Sequence, residues 1–148
     1  NKVDEVPQGS PRWKEQYAVL QERLRFVTWA PVLGTSAVSG RGLGKLPKVL
    51  THAYSEWDRR ITTSVLNRFL EDAVEAHHPA AHRGREVKLY YVTQVSTRPP
   101  SFVFSVNSPD GVKTAYRRYL ENRLRDAFQF EGTPLRLFFR GRGKNKKR

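Results

Sequence analysis

Cysteine is absent from the 148 residues. That removes disulfides, thiolate metal ligands and any cysteine nucleophile, and it excludes a secreted disulfide scaffold. A reducing, cytoplasmic setting suits such a chain. Long apolar runs are also missing. The longest charge-free stretch, Phe26 to Gly40, falls short of the ~20 apolar residues of a spanning helix and is interrupted by Pro31 and Gly34. No signal peptide is visible, no initiator methionine precedes Asn1, and no internal repeat occurs. Acid is scarce: 14 Asp and Glu stand against 27 Lys and Arg, a formal net charge of +13. The shortage is uneven, because residues 1–58 balance to +2 and residues 59–148 to +11. Such a local excess points to a polyanion, RNA or DNA first, since phosphate binding releases counterions. The 38% hydrophobic content, 11% of the chain being aromatic, supports a folded core.

What is present sorts into periodic segments. Ser10 is placed to cap a helix with Pro11 in its first turn, and Trp13, Tyr17, Leu20 and Leu24 follow at helical spacing, predicting a helix from Pro11 to Arg23. Ala30 to Thr35 is a short apolar run that reads as a buried strand. Leu46, Leu50, Ala53 and Trp57 form a stripe on a second helix, expected from Leu43 to about Asp58. A hinge at Arg59 to Thr62 precedes a third helix with Val65, Leu66, Phe69, Leu70, Ala73 and Val74 on its apolar face. Pro79 and Gly84 break the pattern. From Arg85 to Asn107 two alternating runs read as a hairpin whose apolar face carries Leu89, Tyr91, Phe102 and Phe104, with Tyr90 alone of the aromatics facing out. Pro109 is expected to open one continuous helix to Phe128, stopped by Gly132, and Leu135 to Phe139 is a last strand. The order from residue 62 is helix, strand, strand, helix, strand: an α+β layer pair with two helices over a three-stranded sheet.

Two short motifs carry the most specific chemistry. Asn1, Lys2 and Asp4 belong to NKVD, and Ser36 and Ala37 to TSA. The pair is similar to the base-reading loops of P-loop GTPases. A fixed carboxylate such as Asp4 accepts from both the ring N–H and the exocyclic amine of guanine, and adenine would offer it a lone pair instead. The Ala37 amide can donate to the guanine carbonyl, the Lys2 stem can lie along the base, and Asn1 can tie the two loops together. No G-x-x-x-x-G-K-[ST] occurs. Gly40 to Lys45 has the wrong glycine spacing, with Leu46 where a magnesium-binding hydroxyl is required. There is no DxxG either, so these residues are not expected to hydrolyse GTP, and no catalytic or metal-binding residues are assigned. His77, His78 and His82 flank a proline loop without a ligand-spaced carboxylate and read as surface residues.

Farther along, YYVTQVSTRPPSFVFSVN and YRRYLENRLRDAFQFEGTPLRLFFR resemble the C-terminal KH-like domain of the bacterial double-GTPase family known as EngA or Der. The resemblance covers essentially the whole chain. It implies an α/β piece from the end of a P-loop GTPase domain at residues 1–58, a KH-like α+β domain at 59–140, and a basic disordered tail at 141–148, cut from a longer protein. It further implies GTP or GDP with Mg as ligands of the intact family protein, none held tightly by this piece. The implied partners are the large ribosomal subunit, its rRNA and the first G domain, and the implied role is ribosome assembly. Helical patterning without a GXXG loop departs from strand-clamping KH modules. RNA contacts are therefore expected through Arg98 at the hairpin end, through Lys113, Arg117, Arg118 and Arg125 on the last helix, and through Arg140, Arg142, Lys144, Lys146, Lys147 and Arg148 in the tail. The alternative is a freestanding basic RNA-binding module with no nucleotide role.

Overall fold

Ser10 Oγ accepts the Trp13 amide at 3.2 Å and Pro11 occupies the first turn, so α1 forms at Pro11–Arg23 in the computed structural model, which describes residues 1–6 and 9–142. The described chain divides into two units: Asn1–Glu56 with Glu131–Pro134, and Trp57–Phe130 with the residues from Leu135 on.

In the first unit, a 3-10 turn at Leu43–Lys45 precedes α2 at Leu46–Trp57, so the expected start at Leu43 is one short turn early. Neither α1 nor α2 buries a residue, and Leu50, in the middle of the stripe on α2, is 59% exposed. The strand expected at Ala30 to Thr35 does not form. An extended segment becomes a strand only through a neighbour's ladder. Here the amide of Val3 donates to the Thr35 carbonyl at 3.2 Å, a single bond and not a ladder. Val3, Val6 and Ser36 are buried all the same.

The second unit holds the larger core. α3, Thr63–Ala76, buries Leu66, Phe69, Leu70 and Ala73. β1, Leu89–Ser96, runs antiparallel to β2, Ser101–Val106, and β3, Arg136–Gly141, joins the other edge of β2 in parallel. Phe102, Phe104 and Val106 of this central strand are fully buried among Leu66, Val92, Leu120, Leu124 and Phe130. The helix–strand order is the expected α+β one.

Three details differ from the sequence reading. First, β1 is bulged: Leu89 pairs with Val106 but Tyr91 pairs with Ser105, so two residues oppose one. A bulge reverses the alternation beyond it. Val92 and Gln94 therefore enter the core, and Tyr91 turns out beside Tyr90 at 47% and 43% exposure. Second, the helix after Pro109 is interrupted. A 3-10 turn at Pro109–Gly111 gives way to extended backbone at Val112 before α4 begins at Thr114–Phe128. Arg117 accounts for the break, donating from Nε to the Val112 carbonyl at 2.9 Å and from Nη2 to the Pro109 carbonyl at 3.3 Å. Third, α4 ends at Phe128 because Gln129 takes φ +70°, three residues before Gly132.

Candidate functional site

Folding brings the NKVD and TSA segments together. Asn1 Oδ1 accepts the Ala37 amide at 3.3 Å, and Val3 N to Thr35 O adds the second tie. The turn itself is closed by Glu5 N to Lys2 O at 3.2 Å, with Lys2 at φ +63°. Val3 and Val6 anchor it from below. The partner loop is held from within: the Ser36 amide donates to the Arg41 carbonyl at 2.9 Å and Ser36 Oγ accepts the Ser39 amide at 3.1 Å. Gly42, at φ +78°, lies against the Gly34 carbonyl where a Cβ has no room. Gly34 in turn leaves space for the Trp13 ring.

Asp4 stands exposed at this junction. The Ser36 hydroxyl beside it holds its carboxyl below the usual carboxylate range, and the turn's own amide adds to the effect. The carboxylate is thus ionised at neutral pH and ready to accept a pair of N–H donors. Lys2 is exposed next to it. A cavity of about 230 Å³ opens alongside, lined by Asn1, Lys2, Val3, Trp13 and Tyr17 among others. One detail escapes motif reading: the Ala37 amide, the donor expected for a base carbonyl, is already engaged by Asn1. A base arriving there must exchange with that amide oxygen.

The basic candidates sort by what their charges already touch. Arg98 is paired with Asp58 through two bonds, Nε to Oδ1 at 2.9 Å and Nη2 to Oδ2 at 2.8 Å. Hydrogen bonding to Arg98 is the main reason the Asp58 carboxyl sits below its ordinary range. Arg117 caps the turn before α4 and lies over the Phe139 ring at 4.7 Å. Arg125, half-buried, donates to the Phe130 carbonyl at 3.1 Å and to Glu121 at 3.3 Å. Lys113, Arg118 and Arg140 are exposed. Arg142 stacks over Tyr90 at 5.4 Å, and Lys144, Lys146, Lys147 and Arg148 lie outside the described residues. Asp58, the acid that engages Arg98, was not singled out from sequence. The pair spans 40 positions, and no local pattern links them.

The histidines show no ligand geometry. His77 and His78 are exposed and His82 half-buried in a small turn with Arg85, and among the described residues no group of three or more His, Cys, Asp or Glu is placed to hold a metal ion. No described helix is long and apolar enough to cross a membrane.

Comparison with known proteins gives one family. The chain is 44% identical over 142 residues to the GTPase Der of Trichlorobacter lovleyi, covering 96% of this chain and 32% of that protein. It is 41% identical to the GTPase Der of Geotalea uraniireducens, covering 99% and 33%, and 49% identical to that of Cereibacter sphaeroides over 130 residues, covering 88% and 26%. It thus spans about a third or less of the length of these curated relatives. Residues 60–140 match the model of the family described as KH-domain-like of EngA bacterial GTPase enzymes, C-terminal. Because that match takes in α3, the whole sheet but for Gly141, and α4, the chain belongs to the family of C-terminal KH-domain-like modules of EngA bacterial GTPase enzymes.

Proposed function

We propose that the chain is the C-terminal part of a GTP-binding ribosome-assembly factor that acts on the large ribosomal subunit. Residues 1–58 form the end of a G domain carrying the guanine-reading loops, and residues 59–140 form the KH-like domain, which makes interdomain and rRNA contacts. The reading rests on one observation above all: Asn1, Asp4, Ser36 and Ala37, 36 positions apart at the ends, converge through the Asn1–Ala37 bond and the Asp4–Ser36 pairing. Neither loop would need the other in a freestanding RNA module.

In this reading Asp4 accepts from the guanine N–H groups, the Ala37 amide meets its carbonyl once Asn1 releases it, and Lys2 covers the base. GTP or GDP with Mg belongs to the intact family protein, whose phosphate loop is not part of this sequence. The phosphates supply much of a nucleotide's affinity, so the 148-residue chain binds GTP and GDP only weakly. Titration with labelled nucleotide tests this. Micromolar affinity or turnover by the chain alone would overturn the partial-site reading. Cosedimentation with large ribosomal subunits tests the second half: salt-sensitive association is expected, and none even at low salt refutes it.

A further inference from the structure

The face of the sheet turned away from α3 and α4 is a basic, aromatic surface. Register fixes which side chains share it. Thr93, Val103 and Phe138 lie in one row, and Tyr91, Ser105 and Arg140 in the next; Ser101 and Arg136 stand opposite one another beyond Phe138. The serines of the central strand, Ser101 and Ser105, are buried, so the exposed part of this face lies on β1 and β3. Phe138 is 44% exposed and Tyr91, turned out by the bulge, 47%. Arg136 and Arg140 are exposed on either side of Phe138, and Arg142 stacks over Tyr90 at the same end. None of the three strands contains an acidic residue. The sequence directly after β3 adds Lys144, Lys146, Lys147 and Arg148, again with no acid.

We propose that the exposed outer strands of this sheet face bind single-stranded RNA, with Tyr91 and Phe138 as stacking platforms for bases and Arg136, Arg140 and Arg142 as the track for its phosphates. The charge pattern favours RNA. Exposed rings flanked at alternate strand positions by arginines, on strands that carry no acidic residue, match bases and phosphates together. Arg117 and Arg125 of α4 are less suited, since both are committed to backbone carbonyls. This inference rests on the reading of the domain as an rRNA-contacting module and names the surface that makes the contact. It departs from the groove of strand-clamping KH modules, for which the chain has no GXXG loop.

The test measures anisotropy of a labelled oligouridylate of about 12 nucleotides with the 148-residue chain, between about 50 and 200 mM salt. Cosedimentation with large ribosomal subunits runs in parallel. Tyr91→Leu and Phe138→Leu keep an apolar side chain at exposed strand positions, and thermal melting confirms that both fold. Each is expected to weaken oligonucleotide binding by roughly tenfold with the salt slope unchanged, while Phe138→Tyr, which keeps the ring, retains affinity. Arg136→Gln and Arg140→Gln should each flatten the salt slope by about 0.7. If the leucine variants bind the oligonucleotide as the parent does, the platform is refuted and the ribosomal reading survives. Binding to large subunits without any oligonucleotide binding also refutes it. Binding to neither brings down both.

Discussion

Gln94 is an amide buried among apolar side chains, and all of its bonds go to the chain around it. Its Oε1 accepts the Ile61 amide at 2.8 Å, and its Nε2 donates to the Arg59 carbonyl at 2.8 Å. It therefore fastens the segment leading into α3 onto β1. Gln94→Leu leaves the buried Ile61 amide without its acceptor and takes a donor from the Arg59 carbonyl, and denaturant melting should show a loss of about 2–4 kcal/mol. Ser105 is the opposite case: its buried Oγ has no hydrogen-bond partner, so Ser105→Ala is expected to be neutral or mildly stabilising.

Two titrations belong to the same scale. With Arg98 beside it, Asp58 has a folded pKa below its unfolded value. The stabilisation from that pair is fully present above the ordinary carboxylate range and is lost as pH falls through the depressed value. Arg98→Gln should lower the melting temperature at neutral pH and make no difference in acid. Tyr116, whose hydroxyl donates to the His77 carbonyl at 2.8 Å, is pushed up to about 12 by burial and, secondarily, by Tyr119. Its contribution holds below the unfolded tyrosine pKa and is lost as pH rises through about 12, which ultraviolet titration of Tyr116→Phe against the parent will isolate. None of these partnerships was legible in the sequence. Strict alternation from Leu89 and Tyr91 would put Gln94 on the outer face, and Asp58 and Arg98 are joined only by the tertiary fold.

At the scale of elements, legibility followed locality. α1 was readable to the residue because its cap, Ser10, and its first-turn proline are adjacent in sequence. The hairpin was readable as a hairpin, and the burial of Phe102 and Phe104 with it. The faces of β1 were not, because a bulge shifts the alternation and leaves no mark in the residue types. The strand expected at Ala30 to Thr35 failed for the converse reason: composition was right, but a ladder requires a neighbour. Packing at the centre of β2 gives the clearest magnitude. Phe104 stacks on Phe139 with ring centroids 5.1 Å apart and is fully buried. Phe104→Ala is expected to cost about 3–5 kcal/mol by chemical denaturation, enough to threaten a domain of ordinary stability.

For the molecule as a whole, the motif pair and the uneven charge were legible from sequence, and family membership agrees with the resemblance carried by the stretches from Tyr90 to Asn107 and from Tyr116 to Arg140. Order within each unit was not. In the first, α1 and α2 bury no residue, whereas the second assembles a core reaching from Ile61 to Phe130. Hydrogen exchange should therefore be fast along α1 and α2 and slow at Val92, Phe102 and Phe104. Equal protection across both would contradict the difference in burial.

The parallel seam between β2 and β3 sets the order in which that second core assembles. β1 and β2 are joined by a short turn and can pair early, but β3 must wait until α4 has been laid down, because residues 101–106 meet residues 136–141. Closing so long a loop carries an entropic cost that a hairpin avoids. β3, expected on this ground to dock last, is also the strand that carries Phe138 and its flanking arginines. Substitutions at Leu137 or Phe139 should accordingly speed unfolding while leaving the refolding rate nearly unchanged, the kinetic signature of contacts made after the transition state.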